Sequence, residues 1–141
     1  AGADLYAFGL SGISNVGAYY WQNTKELGEY YQRLDRGEQP VFKVLELNSD
    51  DHLRKTIIMD IMCRMGVDYA SIEQRWQISF KDYFADELQR LEILEKDGLV
   101  HIFSEGFEIT EKGRLFIRNI AMCFDYYLNS KKQQKYFSKT V

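Results

Sequence analysis

Residues 113–125 place two arginines, an asparagine and an aspartate inside an otherwise apolar run, Gly-Arg-Leu-Phe-Ile-Arg-Asn-Ile-Ala-Met-Cys-Phe-Asp. Apolar residues cover every side of a helical projection of this run, and a helix that is apolar all round has to be buried. A charge inside a core is costly unless it is paired. The segment therefore predicts a central, buried helix whose charged groups need specific partners. Arg118 and Asp125 lie seven residues apart, two helical turns, and so share a face. Arg114 sits one turn earlier on the same face. These charges either pair with the acidic first turn of a neighbouring helix that begins at Ser49, locking two helices together, or offer a guanidinium fork to a carboxylate ligand.

The pattern from Ser49 onward supplies partners for that helix. Ser49 reads as a cap with Asp50 and Asp51 in the first turn, where the macrodipole favours carboxylates. Leu53, Ile57, Ile58, Ile61, Met62 and Met65 form an apolar stripe that Gly66 ends. Asp68 opens a short second helix through Tyr69, Ile72 and Trp76. Ser79 opens a third, with Phe80, Tyr83, Phe84, Leu88, Leu91 and Leu94 inward and Gly98 closing it. Leu99–Phe103 and Phe107–Ile109 read as two strands of a hairpin turning at Ser104-Glu105-Gly106. Thr110 then caps the fourth helix, expected to run to about Asn129. Three helices, a hairpin and a further helix is the order of a winged-helix domain.

The first third of the chain is different. Residues 4–9 read as a short buried strand, followed by a loop studded with Gly9, Gly12 and Gly17. Asn23-Thr24-Lys25-Glu26 resembles a capping box, and Leu27, Tyr30, Tyr31 and Leu34 then recur at helical spacing up to Gly37. Residues 41–47 are extended and partly alternating. A lone strand does not stabilise itself, so residues 4–9 are expected to be the last strand of a sheet, left behind at a cut, and to pair with another copy of the chain or with residues 41–47. The start Ala1-Gly2-Ala3-Asp4 has no basic or apolar leader and reads as cut from something longer. The expected fold is mostly α with a small β-hairpin: a winged-helix-like helical domain preceded by a residual strand and loop from a sheet, which the family resemblance of this chain implies to be an α/β barrel. Its expected divisions are 1–47, 48–129 and a polar tail, 130–141, in which Tyr136 and Phe137 could dock.

Composition excludes several functions. A formal charge of −3 argues against a general polyanion binder. Between Phe80 and Asp97, the reading helix of a winged-helix module, three basic residues face six acidic ones, so nucleic acid is not an expected partner. No apolar run reaches the roughly 20 residues of a membrane span. Cys63 and Cys123 share no metal-ligand spacing and are expected to be reduced core residues of an intracellular protein. His52 and His101 have no metal-binding company in sequence. Gly9-Leu10-Ser11-Gly12-Ile13 has neither the dinucleotide spacing nor the phosphate-loop lysine.

Five segments together resemble the oxygen-independent coproporphyrinogen III oxidases, radical S-adenosylmethionine enzymes of haem synthesis. They are Ser11-Gly12-Ile13-Ser14-Asn15-Val16-Gly17 with Tyr20, Gln22 and Asn23; Leu47-Asn48-Ser49-Asp50-Asp51 with Arg54; Phe80 with Asp82-Tyr83-Phe84 and Leu88; Asp97-Gly98-Leu99-Val100; and Thr110-x-x-Gly113-Arg114 with Arg118-Asn119-Ile120-Ala121-Met122-x-Phe124-Asp125. The resemblance covers almost the whole chain, but only the C-terminal region of such an enzyme. It implies a parent in the cytoplasm that converts coproporphyrinogen III to protoporphyrinogen IX, using S-adenosylmethionine and a [4Fe–4S] cluster to take a hydrogen from a substrate propionate. It implies that the cluster's C-x₃-C-x-x-C motif lies in an N-terminal barrel, the partner this chain lacks, and that the chain alone is inert and holds neither cofactor by itself. It implies that Ile13 faces S-adenosylmethionine, with Ser11, Gly12 and Ser14 as neighbours. It also implies that Arg114 and Arg118 face the propionates of the porphyrinogen substrate, and that the helical domain covers the site. A haem-binding chaperone of the same superfamily, or a winged-helix nucleic-acid module, are the alternatives.

Overall fold

A computed structural model of the chain describes residues 3–128, which form two compact units divided between His52 and Leu53. The end of the fourth helix and the tail, with Tyr136 and Phe137, lie outside the described residues.

In the first unit the glycine-studded stretch is not a loop. It is a hairpin of β1 (Ile13–Val16) and β2 (Tyr19–Asn23), whose two-residue turn uses Gly17 at φ 55°. A left-handed turn of this kind matches strand twist and suits glycine. β3 (Val41–Glu46) pairs antiparallel with β2, giving a sheet in the order β1-β2-β3. Residues 4–9 are neither buried nor paired with residues 41–47. Leu5 makes one antiparallel bridge to Asn15, and Phe8 is 94% exposed. The bridge falls at Asn15 because its amide and carbonyl, in the non-hydrogen-bonded pair with Tyr20, point away from β2 to the outer edge of β1.

Helix α1 (Leu27–Asp35) starts later than the expected capping box: Glu26, not Asn23, holds the N-cap position, and its side chain caps nothing. The Thr24 hydroxyl accepts from the Glu26 amide and donates to the Glu29 carboxylate. Together with Arg33, whose guanidinium lies 2.6 Å from Glu29, that contact holds the Glu29 carboxyl below its ordinary value.

Helix α2 (Ser49–Arg64) is capped one residue earlier than predicted. Asn48 Oδ1 accepts from the Asp51 amide while Asp51 Oδ2 accepts from the Asn48 amide, a reciprocal capping box. In the second unit α2 leads through Met65, at φ 61°, into a strand the sequence does not announce, β4 (Gly66–Asp68). Asp68 caps α3 (Tyr69–Trp76) by accepting from the Ser71 amide. The third helix is broken. It comprises α4 (Phe80–Tyr83) and α5 (Ala85–Lys96), separated at Phe84, whose φ −110°, ψ 30° turns its ring into the core while Tyr83 stays half-exposed. β5 (Val100–Phe103) and β6 (Gly106–Ile109) form the expected hairpin, and β4 adds to β6 in the order β4-β6-β5. The fold is mixed α/β with two three-stranded sheets, more strand than the sequence predicts.

The fourth helix is the largest correction. Residues 113–124 are a 3₁₀ turn (Gly113–Phe116), a five-residue helix α6 (Ile117–Ala121) and a second 3₁₀ turn (Met122–Phe124). Gly113 has to be glycine, because a Cβ there would collide with the Leu99 carbonyl. That approach bends the chain, so only one side is buried: Gly113, Ile120, Ala121 and Phe124 face in, while Leu115 is 86% exposed. Thr110 caps the segment, accepting from the Gly113 amide. Around Phe124 the core stacks aromatic rings: Phe107 lies parallel at 5.9 Å, with Phe84 and Phe80 tilted against it.

Candidate functional site

The Gly9–Ile13 segment is held from one side by the end of β2 and the residue after it. The Ser11 amide donates to the Thr24 carbonyl at 2.9 Å, and the Asn23 amide donates to the Gly12 carbonyl at 2.9 Å. The Asn23 side chain, itself buried, donates to the Gly9 carbonyl at 2.8 Å. The Gln22 side chain donates to the Ser11 carbonyl at 3.2 Å. Gly12 fits because a Cβ would press on Ala7 and on two carbonyls at 3.2 and 3.3 Å.

The ladder then dictates what Ile13 presents. Because Asn23 bonds Gly12, the next pair, Ile13 with Gln22, is a non-hydrogen-bonded one. The Ile13 N–H and C=O therefore point to the open edge of β1. Asn15, two residues on, uses the same edge for both its bonds to Leu5 at 2.8 Å. Ile13 has no such partner among the described residues, and its side chain is 52% exposed. Strand alternation sends Ser14 to the other face. There its hydroxyl accepts from the Ala7 amide, and it lines a cleft of about 410 Å³ with Tyr6, Phe8, Trp21, Asn23 and Tyr30. The structure thus brings Ser11, Gly12 and Ile13 to one edge and turns the Ser14 side chain away from it.

The two predicted arginines are in the second unit, and both are exposed. Arg114 pairs with Glu111 at 3.2 Å, one turn away in sequence. Arg118 has no partner among the described residues. The break at Phe116 and the 3₁₀ turn at 122–124 undo the two-turn alignment expected of Arg114, Arg118 and Asp125, since 3₁₀ geometry has three residues per turn. Asp125 instead accepts from the Leu128 amide.

The buried arginine is Arg54. Its guanidinium pairs with Glu87 at 2.8 Å, with side chains 12% and 10% exposed, donates to the Phe124 carbonyl at 3.2 Å, and lies 5.2 Å from the centre of the Phe84 ring. Arg90 donates to the Cys123 carbonyl at 3.2 Å. These two arginines tie the end of the 113–124 segment to α2 and α5. A clue was available: Arg54 follows the first stripe residue of α2, and Glu87 precedes Leu91 by one turn. Cys63 is exposed, against expectation, and Cys123 half-buried; neither forms a disulfide among the described residues. Among the described residues no group of three or more His, Cys, Asp or Glu could hold a metal ion, and no helix is long and apolar enough to cross a membrane.

Residues 47–116 match the family model of the HemN C-terminal domain. The chain is similar along 98% of its length, at 44% identity, to the oxygen-independent coproporphyrinogen III oxidase of Escherichia coli strain K12, and along 99%, at 40% identity, to that of Synechocystis sp.. A solved structure described as coproporphyrinogen III oxidase (HemN) from Escherichia coli, a radical SAM enzyme, superposes on 88% of the chain with a TM-score of 0.83 and 46% identity. The chain belongs to the oxygen-independent coproporphyrinogen III oxidase family, in its C-terminal region. It spans about 30% of the length of these oxidases, so the larger part of the HemN enzymes has no counterpart here.

Proposed function

We propose that this chain is the C-terminal part of an oxygen-independent coproporphyrinogen III oxidase, whose whole protein decarboxylates coproporphyrinogen III to protoporphyrinogen IX in haem synthesis. The observation that carries this is the agreement in both sequence and fold with the Escherichia coli enzyme across nearly the whole chain. The open edge at Ile13 fits S-adenosylmethionine: an adenine presents a donor and an acceptor side by side, and the Ile13 C=O and N–H answer them. Ile13 would hold the base, with Ser11 and Gly12 shaping the backbone and Ser14 buttressing the strand from behind. When bound, S-adenosylmethionine supplies the radical that starts the reaction. The [4Fe–4S] cluster does not fit this chain, which has two cysteines, whereas such clusters are held by about four ligands. Its ligands belong to the part of the protein not represented here, and the chain alone is inert.

Residues 1–47 are the end of that barrel with its linker, 48–129 a winged-helix-like domain, and 130–141 a tail. The order helix, strand, two helices and hairpin, with the sheet arranged β4-β6-β5, supports the winged-helix description. The acidic character of α4 and α5 speaks against nucleic acid, and the role proposed for this domain is that of a cover that keeps water from the reaction. Arg114 and Arg118 are available to substrate propionates because neither is committed to the core.

A chimera in which this chain replaces the C-terminal 30% of the Escherichia coli oxidase tests the proposal. Anaerobic turnover of coproporphyrinogen III is the expected outcome. A folded, cluster-loaded chimera that binds haem without decarboxylating anything would assign the chain to a chaperone instead.

A further inference from the structure

We propose that Gln22 and Asn23 are positioning residues that aim the Ile13 edge at the adenine of S-adenosylmethionine. The inference rests on the role given to Ile13 above and concerns how that edge is held.

Ser11 adopts φ 57°, a left-handed conformation that a serine does not favour unaided. Something has to hold it, and the strip of chain from Gln22 to Thr24 does so on both sides. Thr24 takes the Ser11 amide, and the Gln22 side chain takes the Ser11 carbonyl. Asn23 carries the Gly9 carbonyl on its side-chain amide and the Gly12 carbonyl on its main-chain amide. The Gly9 amide donates to the Tyr30 hydroxyl at 3.1 Å, and the Gly12 amide to the Gly9 carbonyl at 3.3 Å. Every main-chain polar group of Gly9, Ser11 and Gly12 is therefore committed, and Ile13 is the first residue of β1, with its amide and carbonyl free to meet a ligand. Gln22 is also the cross-strand partner of Ile13 and shares its face. Its side chain reaches along that face to Ser11, so one residue fixes both the turn and the flank of the edge. Asn23 works from the opposite face, buried, where it cannot touch a ligand at the edge.

Two variants in the full-length protein carrying this chain test the clamp. Gln22→Met keeps the bulk and removes the donor; Asn23→Asp keeps the shape and loses the amide. Each is expected to weaken S-adenosylmethionine binding about three- to tenfold, the size of one neutral hydrogen bond. The effect should appear in equilibrium dialysis and in the KM for S-adenosylmethionine, with the KM for coproporphyrinogen III unchanged. Amide exchange at Ser11 and Gly12 should quicken while the melting temperature of Gln22→Met stays put. A merely structural role would lower the yield of active protein and leave both KM values alone, which would overturn the proposal. Ile13→Pro, which deletes the edge N–H, separates the two ideas. If it leaves binding intact, the role of Ile13 itself fails. If it abolishes binding while Gln22→Met and Asn23→Asp bind normally, the clamp alone fails.

Discussion

The two units bury opposite kinds of side chain. Among the described residues, all sixteen buried hydrophobic ones, from Leu53 to Phe124, belong to the second unit. In the first, the buried side chains are Ser14, Asn23 and Thr24, while Leu5, Tyr6, Phe8, Phe42 and Val44 are exposed. One unit is held by packing, the other by directed hydrogen bonds around a glycine-rich turn. Packing is non-directional and tolerates modest change. A hydrogen-bonded turn holds individual main-chain atoms in place, which is what a ligand edge needs.

The sharpest way to break this contrast is to truncate one aromatic ring in each unit. Phe124→Ala, in the fully buried stack with Phe107 and Phe84, should cost ~3–5 kcal/mol in urea unfolding. Phe8→Ala should cost less than ~0.5 kcal/mol in this chain. Comparable losses would erase the distinction.

The second unit has one polar exception, and it gives a somewhat smaller effect. Arg54→Met leaves Glu87, 10% exposed, with only the longer 4.0 Å pair to Arg90, and takes the donor from the Phe124 carbonyl. The expected loss is about 3 kcal/mol, at the low end for buried pairs. The double variant Arg54→Met, Glu87→Leu should recover much of it, because no lone charge remains. If the double variant is no better than the single one, the pair contributes through geometry that packing does not replace.

The pH limits of the second unit are the mildest test. Hydrogen bonds from Ser71 hold the Asp68 carboxyl below its ordinary value. Its contribution to stability is present above about pH 4, the unfolded value, and is lost as pH falls through the lower folded value. Asp68→Asn should flatten that acid limb in thermal melts. At the other end, burial foremost, with the charge of Glu95, pushes Tyr69 up to about 12. A raised folded value means stability that is complete below about pH 10 and lost as pH rises through about 12. The Tyr69 hydroxyl is buried with no hydrogen-bond partner among the described residues, so Tyr69→Phe should be neutral or slightly stabilising at pH 7 and should remove the alkaline limb. A destabilised Tyr69→Phe would reveal a partner for that hydroxyl.

Much of the second unit could be read from the chain alone. The stripe Leu53-Ile57-Ile61, the Asp68 cap, the Ser104-Glu105 turn and the Thr110 cap are local patterns, each set by spacing or by a side chain reaching its own backbone. The first unit was harder. Ile13–Val16 and Tyr19–Asn23 are short strands separated by Gly-Ala, and glycines that permit a left-handed hairpin turn look the same in sequence as glycines of a loop. Strand β4 has three residues and exists because β6 is there to pair with it.

Residue order and nearest neighbours were enough to reveal the caps at Asp68 and Thr110, the apolar stripe of α2, the second hairpin and the likeness to an oxidase family. Only the tertiary structure decided which arginine is buried and which face of residues 113–124 meets solvent. Both turn on Gly113 lying against the Leu99 carbonyl and on Arg54 reaching Phe124, contacts between residues far apart in the chain. The free edge at Ile13 was decided in the same way, since the pairing of Gly12 with Asn23 at the end of β2 turns the Ile13 amide and carbonyl away from β2.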